Sequence, residues 1–284
     1  MAEDLVFARK ASGLVRGLDM WDAFGAGLMT CQPISTLWLM VGIALSLYPT
    51  GNLLISIAIG AVTAGIGAPL VWGILSGSMP RAGGEYVYNS RILHPAIGGV
   101  LILIVALFLS SKADFIHNWN VIAVQYKSLS YEQFIHAAGP LPDSWDWRGT
   151  FGAFSGVYAL FVYNYAIAYL SGEVKRPDKA LLGANIMAVW VPIVLGFLTV
   201  IGLYRIMAFN FLSASAAQSF GAGVEGYTAP FSPDYLTLTW IASGRSGIVA
   251  WAILLAFIAV IWLEITIAIL IVGRAWLALS LIHI

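Results

Sequence analysis

The chain has 284 residues, 60% of them apolar and 10% charged, with 14 basic residues against 14 acidic ones. Water-soluble proteins carry about 25% charged residues, so this composition excludes an ordinary soluble domain; zero net charge removes the electrostatic case for nucleic acid, which needs a basic face to displace counterions. Eleven Trp and 29 Gly fit a helical membrane protein, and a single Cys excludes an intrachain disulfide framework.

A helix needs about 20 residues at about 1.5 Å each to cross about 30 Å of hydrocarbon. Residues 1–22 are polar, carrying Glu3, Asp4, Arg9, Lys10 and Arg16, with Asp19 and Asp22 placed as helix-start residues. Six apolar runs follow, Ala23–Tyr48, Leu53–Met79, Pro95–Ser111, Phe151–Ser171, Ala180–Tyr204 and Ile248–Val272, and all six are predicted to be transmembrane helices. The third is short and the last contains Glu264, but neither has the polar stripe of a surface helix. The first run is too long for a signal-peptide core and lacks a cleavage pattern, so its removal is not expected. Two outer loops, about Lys112–Thr150 and Ile206–Gly247, have no apolar stretch long enough to span.

With the N-terminus inside, Arg9, Lys10, Arg16, Arg81, Arg91, Lys175, Arg176, Lys179 and Arg274 are cytoplasmic. Only Lys112, Lys127, Arg148, Arg205 and Arg245 then lie outside, spread over much longer loops. The bias toward the inner side predicts a multi-pass protein of the cell membrane with a cytoplasmic N-terminus.

Pro33 lies inside the first run, after Gly25, Gly27, Cys31 and Gln32. Proline lacks an N–H and clashes with the carbonyl four residues back, so the helix should break or kink there. One outcome is a broken helix whose free N–H and C=O groups bind a charged solute; the other is a tolerated kink whose freed carbonyl is met by Ser or Thr. Asn164, in the fourth run, needs a hydrogen-bond partner in hydrocarbon, which is either substrate or a neighbouring helix. Glu264 must be protonated, paired or in a watery cavity, and its role is either proton or cation coupling or contact with another helix. Gly60, Gly65 and Gly67 read as packing positions. There is no HExxH, GxSxG or GxxxxGK, no nucleophile with a base and no metal cluster, so neither an enzyme nor a cofactor is expected.

Three segments together carry a family resemblance. Ala11–Pro33 (ASGLVRGLDMWDAFGAGLMTCQP) resembles the approach to, and first helix of, the amino acid-polyamine-organocation permeases. Met79–Gly98 (MPRAGGEYVYNSRILHPAIG) is similar to that superfamily's inner loop between helices two and three, and Ser171–Ala184 (SGEVKRPDKALLGA) to the segment after helix six. The resemblance implies an all-α transmembrane fold with the inverted repeat of the leucine-transporter type. The six runs would match helices 1–3 and 6–8, residues 23–111 forming part of the first repeat and 151–278 part of the second, with 112–150 an extracellular loop. Helices four and five have no counterpart, and the last six residues, Leu279–Ile284 (LSLIHI), resemble an adapter-derived tail, so a truncated gene fragment that is inactive alone is expected.

The resemblance also implies alternating-access transport of an amino acid or polyamine-like solute, with proton or sodium as coupling ion and the bilayer as surroundings. Thr30, Gln32, Ile34, Ser35 and Thr36 would cradle substrate at the first break, and Tyr163, Asn164 and Tyr165 at the second, where Tyr163 stands in place of the family's glycine. Arg81, Gly83, Gly84 and Glu85 would form an inner gate hinge, although the two glycines also suit a plain turn. Glu173, with Lys175 and Arg176, would form gating ion pairs, although inner-face anchoring explains the two bases equally. The competing function is a non-transporting membrane receptor or assembly module derived from a permease.

Overall fold

The computed structural model describes residues 17–31, 33–78, 93–141, 144–158, 174–256 and 258, with backbone alone at 29, 30, 33–35, 68, 71–78 and 93–100. Its regular elements are helices: α1 Met20–Thr30, α2 Pro33–Leu47, α3 Leu53–Ser78, α4 Leu93–Leu109, α5 Lys112–Gln125, α6 Tyr131–Ala137, α7 Trp147–Val157, α8 Pro177–Ile206, α9 Phe209–Phe220, α10 Tyr235–Ala242 and α11 Gly247–Ala256. The all-α class is therefore as expected. Among the described residues, α8 is the one helix long and apolar enough to cross a membrane by itself. Leu101–Leu109 and α5 pass jointly as a pair bent by 99°, and Thr36–Leu47, Leu53–Gly67 and α11 are shorter apolar helices.

Short polar side chains set the helix starts. Asp19 Oδ1 accepts from the N–H groups of Trp21 (2.8 Å) and Asp22 (3.0 Å), while Asp22 Oδ2 accepts from Asp19 N (3.0 Å), so both acids cap α1. Asn52 caps α3, Asp146 caps α7 and Asp234 caps α10 in the same manner. Pro177 takes the first position of α8, where its missing N–H costs nothing, and Arg176 before it is left-handed at φ 51°.

The long helices pack around α8, which lies along α3 and is flanked by α1 and α4, with α7 against α2 and α3. The α1–α8 seam consists of Ala23 and Ala26 against Ala180, Leu181, Ala184 and Ala188, with Leu18 and Val174 at its end. Small side chains let the two backbones approach closely. Gly65 serves the α3–α8 contact, since a Cβ there would stand 3.1 Å from Ile193 Cδ1; at Gly67 a Cβ would meet none of the described residues within 4 Å.

Both ends of this bundle are tied by hydrogen bonds. At one end, Leu53 N donates to Tyr204 Oη (3.2 Å), Asp146 N to Thr50 O (3.0 Å), and Ser56 Oγ to Thr150 O (2.8 Å), which brings the α2–α3 turn, the start of α7 and the end of α8 to one level. At the other, Leu18 and Val174 form an isolated parallel bridge, with Lys175 N donating to Leu18 O at 2.7 Å.

The two connecting segments are folded as well. Their helices α5, α6 and α9 share an aromatic cluster centred on buried Phe211. Its ring stacks on Tyr131 at 4.5 Å and meets Trp119 at 5.0 Å, Phe115 at 5.4 Å and Phe134 at 5.5 Å. Tyr131 Oη also accepts from Ala208 N (3.1 Å), which fixes the entry to α9. The sharp corner between α4 and α5 is held by Arg205, whose Nη2 donates to the carbonyls of Leu107 (3.0 Å), Phe108 and Ser110. These are end carbonyls of α4 that have no partner in their own helix. Ser110 Oγ and Asn118 Nδ2 in turn donate to Ala242 O (2.8 Å) and Ile241 O (3.1 Å), closing α10.

Candidate functional site

The interruption expected at Pro33 is present. Cys31 N still donates to Gly27 O (3.1 Å), Cys31 itself is in a turn, and Pro33 opens a separate helix. The two pieces hold 11 and 15 residues. At about 1.5 Å per residue they are about 16 and 22 Å long, so neither alone covers about 30 Å of hydrocarbon. By helix geometry the first N–H groups of α2 and the last carbonyls of α1 have no acceptor or donor within their own helices, and they converge on this break. The surroundings are tight: Leu28, Cys31 and Leu37 are fully buried, and Thr36 nearly so.

Thr36 is the one substrate-cradling candidate whose side chain is described, and its Oγ1 donates to Cys31 O at 2.7 Å. The freed carbonyl is thus met by a hydroxyl from the following helix, a bond that closes the break without any solute. Thr30 ends α1, and Ile34 and Ser35 lie in the first turn of α2, so the backbone brings all four positions to the break. Gln32, Tyr163, Asn164, Tyr165, Glu264, Arg81, Gly83, Gly84, Glu85 and Glu173 lie outside the described residues.

Two of the three segments that carry the family resemblance meet directly, because Leu18 belongs to the first and Val174 and Lys175 to the third. The entry to α1, one helix length before the break, is therefore attached to the chain that leads into α8. Asn185, which sequence reasoning passed over, is fully buried in α8 between Leu181 and Ala188 of the α1 seam, and its Nδ2 donates to Leu181 O at 2.9 Å. An amide inside an apolar run was the available signal, the same one that marks Asn164. A second overlooked group is the pair of hydroxyls on Thr199 of α8 and Tyr235 of α10, both buried and neither in a completed hydrogen bond among the described residues. Burial raises the Tyr235 phenol above its usual range; nearby Thr199 opposes that shift without reaching hydrogen-bond geometry.

A hollow between α2, α9 and α10, lined by Gly42, Ser215, Ser219, Asp234 and Tyr235 among others, has a volume of about 10 Å³. That is room for about one water and far too little for an amino acid. Among the described residues no three His, Cys, Asp or Glu side chains are grouped to hold a metal ion. No protein-family model, curated protein or solved structure matches the chain.

Proposed function

We propose that the chain is the membrane-embedded body of a secondary transporter, similar to the amino acid-polyamine-organocation permeases, that moves an amino acid or related organic cation by alternating access. The carrying observation is the interruption of a buried apolar helix at Cys31–Pro33. The start of α2 presents N–H groups and the positive end of a helix dipole, which suit a carboxylate, while the end of α1 presents carbonyls that suit an ammonium group. In this proposal the six apolar runs cross the bilayer as two inverted three-helix sets, with Glu264 available for ion coupling and the N-terminus in the cytoplasm.

The exposed surface supports a lipid setting. Between Lys179 and Arg205 the exposed residues of α8 are Ile186, Trp190, Val194 and Ile201, and those of α3 and α11 also carry no charge. The interval from residue 179 to 205 is about 39 Å along a helix, close to a bilayer with its headgroups. Lys175 and Arg176 stand at the end where Leu18 meets Val174, and Arg148 and Arg205 at the opposite end, in keeping with the sidedness of the basic residues.

The bond from Thr36 to Cys31 favours a second reading, a non-transporting membrane module in which the break is a satisfied kink. Reconstitution in liposomes separates the two. For the transporter, Cys31 is expected to react more slowly with a small charged thiol reagent when one amino acid or polyamine is present, and a version to which counterparts of the missing helices are added is expected to take up that solute in labelled form. A Cys31 reaction rate indifferent to every solute, together with no uptake by that version, overturns it and supports the module.

A further inference from the structure

At the start of α7 three large aromatic side chains are exposed together: Trp145 at 40%, Trp147 at 57% and Phe151 at 59%. They are organised, not scattered. Trp145 and Trp147 meet edge to face at 5.3 Å, and Trp147 lies against Phe151 at 6.1 Å. In water such a cluster is costly, and none of the described residues covers it.

Its level in the fold indicates what does. The cluster stands where Asp146 bonds to Thr50 and Leu53 to Tyr204, the level at which α2, α3, α7 and α8 all turn. On one side of that level lie the charge-free exposed faces of α3 and α8. At that same level Arg205, at the end of α8, holds the corner where α4 turns by 99° into α5, and α5 and α6 expose Lys112, Asp114, His117, Glu132 and His136. The cluster therefore occupies the boundary between an apolar and a polar surface. Indole suits that boundary, since its ring is apolar while its N–H needs a polar partner.

We infer that Trp145, Trp147 and Phe151 form an anchor that seats this end of the molecule in the headgroup zone of one lipid leaflet. This rests on the membrane setting proposed above and adds to it a depth. Phe151 lies one turn further along α7 and points the anchor toward the acyl chains, while exposed Arg148 beside it remains among the phosphates.

The test uses the full chain in liposomes of phosphatidylcholine brominated either at carbons 6 and 7 or at carbons 11 and 12. Trp fluorescence is compared between the unaltered protein, the W145F/W147F variant and W190F. Trp190 is exposed midway along α8, so it reports on the membrane setting independently. The emission lost in W145F/W147F is expected to be quenched more by the shallow bromines, and that lost in W190F more by the deep ones. If the Trp145 and Trp147 emission is untouched by either lipid, or quenched more by the deep bromines, the anchor is wrong while deep quenching of Trp190 keeps the membrane setting. If Trp190 is also untouched, both fall.

Discussion

Thr36→Val removes one hydroxyl from the turn that closes α1 and preserves the branched outline of the side chain. The bond it abolishes, Thr36 Oγ1 to Cys31 O at 2.7 Å, is buried, so the carbonyl is left short of a donor in surroundings that exclude water. Leaving a buried acceptor unmatched costs about 1–3 kcal/mol. A chain of this size shifts its unfolding midpoint by about 2–4 °C per kcal/mol, so Tm should fall by about 2–12 °C. The single cysteine supplies the assay. Cys31 is buried at the break itself, and a dye that fluoresces on reacting with a thiol will report its exposure as the protein is heated in detergent. Thr36→Ser is the control, because it retains the hydroxyl and loses only a methyl, worth about 0.8 kcal/mol. Should Thr36→Val melt within about 1 °C of the unaltered protein while Thr36→Ser melts lower, the methyl and not the hydroxyl holds the turn, and the hydrogen-bond account of the break is refuted.

Three further outcomes follow from the packing, each read as Tm in the same assay. Gly149→Ala would put a Cβ 1.9 Å from Thr50 Oγ1 and 2.9 Å from the Thr50 carbonyl carbon, and should cost about 1–3 kcal/mol, whereas Gly67→Ala meets nothing and should gain up to about 1 kcal/mol. Arg205→Ala uncaps three carbonyls at the end of α4 and should cost about 1–2 kcal/mol; Arg205→Lys, which keeps the charge but loses the planar stacking 5.7 Å over Phe108, should fall between. Asp146 is held below its usual pKa by the Thr50 hydroxyl first and by the Gly149 N–H next. A depressed carboxylate stabilises the fold above its unfolded value of 3.8 and loses that contribution as pH falls through the lower folded value, so Tm should decline below about pH 4 and Asp146→Asn should flatten that decline.

The legible parts of this chain were those fixed by local chemistry. Asp19 and Asp22 announced a helix start by residue type, and both are caps. The helix class follows from apolar runs too long for strands, and the break or kink follows from a proline inside the first run. What was not legible depends on pairing between distant segments. Nothing near Phe211 predicts that Tyr131 will stack on it across 80 positions, and nothing near Arg205 predicts that it will cap a helix nearly 100 residues earlier. Counted as a topological charge, Arg205 marks only an outer end; in the fold the same charge holds a corner. The segments between the apolar runs looked like loops because short amphipathic helices of 7 to 14 residues draw their stability from tertiary contacts and leave little periodic signal.

Proline by itself does not decide between a break and a bend. Pro69 lies inside α3 and Pro192 inside α8, and both helices run on past them. One proline removes one N–H and crowds one carbonyl, which bends a helix but does not part it. Parting it leaves several peptide groups without helical partners, and in an apolar interior each needs a replacement. Beside Pro192 stand Trp190, Val191, Ile193 and Val194, which offer no hydroxyl or amide to the backbone; beside Pro33 stand Cys31, Gln32, Ser35 and Thr36, and Thr36 makes such a bond. The polarity around Pro33 therefore does a job that a bend would not require. Through Thr36 it meets a carbonyl that the break releases, and under the proposed transport reading that carbonyl is the group a charged solute would take over.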